Sequence, residues 1–185
     1  MKLFTLIISI VLLSSCAVMN TDECKIANWH DVGLKDASNG DDRLKLSKYV
    51  KACSKANVSP NQSEYNQGYQ EGLKIYCTPQ NMFDQGLYGG TDYSICPAIE
   101  HSNLKPYYDV SYDYYRASEE RKKLLNDINR YESLLKNKDL KNDLKESYKQ
   151  SLSSLELKRS RVMNSFYDAE DRMERFKRAK NLNAW

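Results

Sequence analysis

Hydrophobic and polar positions divide the chain into three stretches of different rhythm. Residues 3–13 are apolar apart from Thr5 and Ser9. That run is shorter than the roughly 20 residues a membrane-spanning helix requires. With Lys2 ahead of it and Ser14-Ser15-Cys16 behind it, it reads as an export signal that is removed before folding. Residues 17–106 carry short amphipathic stretches separated by glycine and proline. From Val110 onward the seam positions recur at alternating steps of four and three: Val110, Tyr114, Ala117, Arg121, Leu124, Ile128, Tyr131, Leu135. After the polar break Lys136-Asn137-Lys138-Asp139 a second seam runs through Tyr148, Leu152, Leu155, Arg159, Val162, Phe166, Ala169, Met173 and Phe176. Two heptad seams joined by a short polar break predict an antiparallel coiled-coil hairpin over residues 107–185. Its helices would cover residues 107–136 and 140–180. Folding about residue 138 sets Leu124 opposite Leu152, Ile128 opposite Tyr148, Tyr114 opposite Val162 and Val110 opposite Phe166. The longer second helix then carries Met173 and Phe176 past Tyr107, onto the preceding half. One continuous helix in a parallel oligomer is the other arrangement the pattern permits.

The middle stretch predicts a small helical domain over residues 24–106. One helix is expected over residues 21–39, capped by Asp22, with Ile26, Trp29 and Gly33 on one face and Gly40 as its stop. A second is expected from Asp41 or Asp42 to Ala56, with Leu44, Leu46, Tyr49, Val50 and Cys53 as its apolar positions. Ser59-Pro60 predicts the start of a third helix, ending near Tyr76, and Thr78-Pro79 that of a short fourth around Met82 and Phe83. Gly86, Gly89 and Gly90 then predict a loop reaching Cys96-Pro97. Gly68 and Gly72 lie four apart, on one helical face. Each costs roughly 1 kcal/mol against alanine there, which points to another element packed closely on that face.

Composition sharpens the division. All seven glycines and all four prolines lie between Gly33 and Pro106, and the 79 residues beyond contain neither, so a boundary is expected near residue 106. Residues 17–106 carry 9 Lys+Arg against 11 Asp+Glu, and residues 107–185 carry 18 against 14. A mean hydropathy of −0.74 approaches that of disordered chains, but 14 tyrosines and regular seams argue for a packed core. Cys24, Cys53, Cys77 and Cys96 form an even set without CxxC spacing or a nearby histidine pair. In an exported chain that is a disulfide framework, not a zinc site. Three pairings are possible. Consecutive pairing, Cys24–Cys53 with Cys77–Cys96, closes small loops between adjacent elements and is the one expected.

Leu13-Ser14-Ser15-Cys16 resembles the lipobox of bacterial lipoproteins, in which the cysteine is acylated and becomes the first residue after cleavage. That resemblance implies a signal peptide over residues 1–15, lipidation at Cys16 and a tether over residues 16–23. Ala17, where aspartate marks inner-membrane retention, implies the periplasmic face of the outer membrane. A second resemblance rests on Cys24-x4-Trp29-x3-Gly33-x2-Asp36, Cys53, Tyr65-x2-Gly68-x3-Gly72-x3-Tyr76-Cys77, Gly86-x2-Gly89 and Tyr93-x2-Cys96-Pro97. This ordered set, from Cys16 to Asp113, resembles small bacterial envelope lipoproteins grouped as domain of unknown function 2799. A glycine commonly follows the aspartate in that pattern, where this chain has Ala37. The resemblance implies an exported helical lipoprotein, often with a helical tail, and brings no catalytic residues or cofactor.

Catalytic chemistry finds little support. His30-Asp31 are adjacent and, on a helix, point in different directions. Disulfides would consume the thiols, and no G-x-S-x-G or S-x-x-K context stands out beyond residue 16. Glu64 and Glu71 would sit about 10 Å apart on one helix face with nothing marking a cleft. No cofactor is expected. The basic stretch 158–180, with Arg172 and Arg175, suits anionic lipid or wall polymer better than nucleic acid in an exported chain. Tyr107, Tyr108, Tyr112, Tyr114 and Tyr115 form a collar at the junction, with Tyr112 a candidate contact. The expected protein is mainly α: a disulfide-stapled helical domain and a coiled-coil arm, non-catalytic and anchored in the membrane by lipid. Its arm would meet another envelope protein or a second copy through Leu124, Leu155 and Val162. The competing expectation is a wall-directed hydrolase, or an inhibitor of one, using residues 81–93.

Overall fold

The computed structural model describes residues 18–183. The signal run, Cys16 and the start of the tether lie outside the described residues. Seven α-helices span the described residues: α1 (Thr21–Ile26), α2 (Trp29–Ser38), α3 (Lys45–Cys53), α4 (Gln62–Tyr76), α5 (Pro79–Leu87), α6 (His101–Leu135) and α7 (Asn142–Ala179). Short 3₁₀ turns follow α3 and precede α6.

Asparagines set several boundaries that the apolar rhythm does not show. The helix expected over residues 21–39 is two helices. Asn20, not Asp22, caps α1, its side chain accepting from Glu23 N–H while the Glu23 carboxylate accepts from Asn20 N–H. Asn28 caps α2 through His30 and Asp31 N–H, and a cap formed there ends the preceding helix. Ile26 is consequently exposed, while Trp29 and Gly33 are buried. Asn61, two residues beyond Ser59, caps α4. Thr78 caps α5 with Pro79 in its first turn. α5 forms around Met82 and Phe83 as expected and continues through Gly86 to Leu87, so the loop expected from Gly86 starts only after it. The start of α6 also departs from expectation. It begins at His101 and runs through Pro106. As the sixth residue of α6, Pro106 lies past the four free N–H groups of the helix start and forfeits the hydrogen bond to the Ser102 carbonyl, a loss that packing of the fully buried Leu104 beside it offsets.

Disulfides Cys24–Cys53 and Cys77–Cys96, with Cα separations of 5.5 and 5.7 Å, tie α1 to α3 and the end of α4 to the segment before α6. A ladder of rings forms the domain core: Trp29 on Tyr49, Tyr49 on Tyr65, and Tyr65 stacked on Tyr69, with centroids 5.9–6.3 Å apart. α2 and α4 cross at backbone contact. A Cβ at Gly33 would overlap the Tyr65 carbonyl, one at Gly68 the His30 carbonyl, and one at Gly72 the Leu34 carbonyl. α5 meets α6 the same way, Gly86 lying against Ser111 and the Tyr108 carbonyl.

α6 and α7 form the antiparallel hairpin, turning over residues 136–141. The pairing is displaced by about one helical turn from simple folding at residue 138. Tyr114 packs on Phe166 rather than Val162, and Tyr148 on Tyr131 rather than Ile128. Helical side chains lean toward their own N-terminus. In an antiparallel pair this tilts α6 side chains away from the turn and α7 side chains toward it. Each α6 residue therefore meets an α7 residue farther from the turn. Beyond the seam Met173 packs on Phe83 and Leu87 of α5, and Asn183 N–H donates to Gln80 Oε1. Phe176 packs against the same cluster and meets Tyr107 edge-on.

Candidate functional site

The densest chemistry in the domain lies beneath a groove of about 410 Å³ whose walls include Met19, Val32, Lys35 and Asn39. Asp36, from the buried side of α2, is 3 % exposed. Its Oδ1 accepts from Lys45 Nζ at 2.8 Å and Tyr49 Oη at 3.0 Å, and its Oδ2 from Tyr65 Oη at 2.9 Å. Lys45 Nζ also donates to Asp41 Oδ2 at 2.7 Å. Burial opposes the charge on Lys45, but the hydrogen bonds from both carboxylates outweigh it and hold the ammonium well above its ordinary range. Burial, reinforced by the Asp36 charge, pushes the Tyr49 phenol up to about 12 and Tyr65 farther still. At neutral pH the cluster thus holds an ammonium and two neutral phenols around one carboxylate, with donors and acceptors paired. It is a fastening between α2, α3 and α4 rather than an arrangement that supplies a base or nucleophile. Asp36 stood out in the sequence only as part of a pattern. No local signal could give it this role, because its partners lie 9, 13 and 29 residues away.

His30 is the other cluster, and here the structure corrects the sequence reading. Its ring reaches both Asp31 Oδ1 at 3.5 Å and Glu71 Oε2 at 3.3 Å, because the glycine contact brings α4 beside it. The Glu71 hydrogen bond, then that of Asp31, raises its pKa from the ordinary histidine value. Glu64 stands apart from this set. His101 Nε2 lies 2.9 Å from the Cys96 carbonyl, beside the second disulfide. Among the described residues no group of three or more His, Cys, Asp or Glu is placed to hold a metal ion.

The remaining candidates fall on the hairpin. Leu124 and Val162 are buried in its seam and Leu155 packs on them, so all three are used within the chain. Tyr112 is stacked between Tyr108 and Tyr115, with the Arg116 guanidinium over its face. Tyr108 Oη donates to the Gly90 carbonyl and the Tyr115 ring lies against Gly89, so the collar joins α6 to the disulfide domain. Arg172 borders a shallow surface recess with Asp113 and Glu120, and Arg175 pairs with Asp171 at 2.8 Å. Of the two seam arginines, Arg121 lays its guanidinium 4.0 Å from the Phe166 ring centroid. Arg159 turns to Glu156 on its own helix. Past Tyr115 the buried residues of α6, Ala117, Leu124 and Ile128, pack on α7. From residue 129 to residue 161 neither helix has a fully buried residue. Leu134 and Leu144 stand exposed on either side of the turn.

Residues 28–113 match the family described as Protein of unknown function (DUF2799). That span covers the Asp36 cluster, the glycine crossing, the second disulfide and Tyr107, Tyr108 and Tyr112 of the collar, and it leaves residue 16 and most of the hairpin outside. No curated protein and no solved structure matches the chain. The two disulfides mark a protein that folds in an oxidising compartment outside the cytoplasm. No helix among the described residues is long and apolar enough to cross a membrane.

Proposed function

We propose that this chain, with its DUF2799 domain over residues 28–113, is a non-catalytic envelope protein held by acyl groups on Cys16 at the periplasmic face of the outer membrane. Its hairpin is an arm that engages another envelope protein or a second copy. The observation that carries this reading is the unfinished state of the arm. From Tyr115 to the end of α6 at Leu135 the helix advances about 30 Å. The outer part, residues 129–161, is a two-helix ribbon without a fully buried residue, bearing exposed Leu134, Leu144 and Leu157. Two helices alone bury too little to be rigid, and a partner laid along the ribbon would complete its packing. The Asp36 cluster supports the non-catalytic part, since its polar atoms are spent on one another.

The seam residues Leu124, Leu155 and Val162 make poor probes, because changing them breaks the hairpin itself. Leu134→Asp with Leu144→Asp alters only the exposed end. Crosslinking in intact cells from a photoreactive group at Leu144 should capture one dominant species in the parent protein. The Leu134→Asp change should abolish that species while membrane fractionation is unchanged. Identical crosslinks in both proteins would sink the arm reading. Mass spectrometry of the captured species separates a second copy from a different protein.

A further inference from the structure

Between Asp42 and Glu64 the chain carries five lysines and arginines and no acidic residue. Lys48, Lys51 and Lys55 follow one another at steps of three and four and share one face of α3 and the turn after it. All three are exposed, and Leu44, one turn before Lys48 on the same face, is 74 % exposed. Among the described residues none of the three has a carboxylate partner. The acids of neighbouring α1 are occupied, Asp22 by Lys25 and Glu23 by the Asn20 N–H. The basic stretch near the chain end differs: Arg159, Arg175 and Lys177 each face a carboxylate on their own helix.

The position of this face relative to the tether gives it a partner. Met19 Sδ lies 3.9 Å from Cys53 Sγ, and Cys53 is bonded to Cys24. Met19 is the third residue after Cys16, a span of at most about 11 Å when extended. Lys51 and Lys55 stand two residues to either side of Cys53, sharing the end of α3 and the turn after it but looking out from the opposite, exposed face. An acyl anchor at residue 16 therefore delivers the end of α3 to the headgroup layer, with Val18 and the 85 % exposed Ile26 beside it.

We propose that Lys48, Lys51 and Lys55 form a docking face for an anionic phospholipid surface, seating the disulfide domain on the bilayer. This rests on the lipid-anchor reading above. Three ammonium groups spaced one turn apart meet several headgroup phosphates at once, while the exposed Leu44 on the same face enters the interface. Each lysine near such a surface strengthens association about fivefold, and the attraction is screened by salt. The anchor alone would leave the domain free to swing on its tether.

The test uses the full chain purified from membranes in detergent. It is weighed for acyl mass and reconstituted into phosphatidylcholine vesicles with or without phosphatidylglycerol. Amine-reactive labelling is then read at each lysine by mass spectrometry. In vesicles with phosphatidylglycerol, labelling at Lys48, Lys51 and Lys55 should fall roughly fivefold relative to phosphatidylcholine alone. High salt should restore it, while Lys136 and Lys138 at the hairpin turn label equally in both. Lys51→Glu should return Lys48 and Lys55 to their unprotected rates. Equal labelling in both lipids, on a chain that floats with the vesicles, overturns the docking face and leaves the anchor standing. A purified chain without acyl mass that fails to float overturns the anchor and this face together.

Discussion

A buried carboxylate that loses its cation and donors, or donors that lose their carboxylate, cost far more than an exposed pair, and Asp36 is where that asymmetry applies. Asp36→Ala would leave two phenols and part of the Lys45 ammonium unpaired, Lys45 keeping Asp41. Urea unfolding should show a loss of about 3 kcal/mol, with Asp36→Asn costing less because its amide oxygen still accepts. The phenols give a pH signature. Tyr49 and Tyr76 are both pushed up to about 12 by burial, above the ordinary tyrosine value near 10. A group whose folded value is raised contributes stability that is full below the unfolded value and is lost as pH rises through the folded one. Stability should hold to about pH 10 and fall toward pH 12, and phenolate absorbance should show a late-titrating set that merges with the rest in denaturant. His30 obeys the same sign at lower pH. Its contact with Glu71 helps below the ordinary histidine value and fades as pH rises through its raised one. Proton NMR of the ring should therefore report a pKa that drops on Glu71→Gln.

Close helix crossings make glycine indispensable at the scale of elements. Gly33→Ala or Gly68→Ala would drive a methyl into a carbonyl of the partner helix, and since backbone cannot yield as a side chain can, α2 and α4 must separate. The expected loss is about 1–3 kcal/mol, measurable by thermal or urea unfolding, with near-ultraviolet dichroism reporting the loosened ring ladder. The disulfides, separated by 29 and 19 residues, should each contribute about 3 kcal/mol on the chain-entropy view, so reduction should unfold the domain more readily than the hairpin seam. The repeat of glycine at four-residue spacing was legible as a close contact before any fold was known. Its partner was not, because Gly33 supplies the other surface from 35 residues earlier. Helix ends were the least legible feature, since Asn20, Asn28 and Asn61 act through side-chain geometry that hydrophobic rhythm does not record.

Over the described residues, burial thins from the disulfide domain along α6 and α7 and ceases between Ile128 and Val162, around the hairpin turn. Hydrogen exchange should follow that gradient: slow amides in α4 and in the first half of α6, and fast ones over residues 129–161, where nothing is fully buried. If the arm closes on a partner, those same amides should slow in its presence while α4 is unaffected. Equal protection along α6 in the isolated protein would contradict the unfinished-arm reading. The collar joins the two regimes, and Tyr108→Ala would cut the hydrogen bond to Gly90 and the ring ladder, weakening the junction while Ser111 against Gly86 and Met173 on α5 still hold it.

Periodicity, composition and cysteine parity in the sequence determined the helical class, a disulfide-stapled first half and the glycine contact, whereas the hairpin and the consecutive pairing were each one of several arrangements the sequence left open and the structure decided. Tertiary structure alone decided which buried carboxylate gathers Lys45, Tyr49 and Tyr65, how His30 meets Glu71, and by how much α7 is displaced along α6. It also decided that Met19 packs on Cys53 at the end of α3, the helix whose exposed face carries Lys48 and Lys51. These are contacts between segments far apart in sequence, set by side-chain tilt and close backbone approach, and no local pattern carries them.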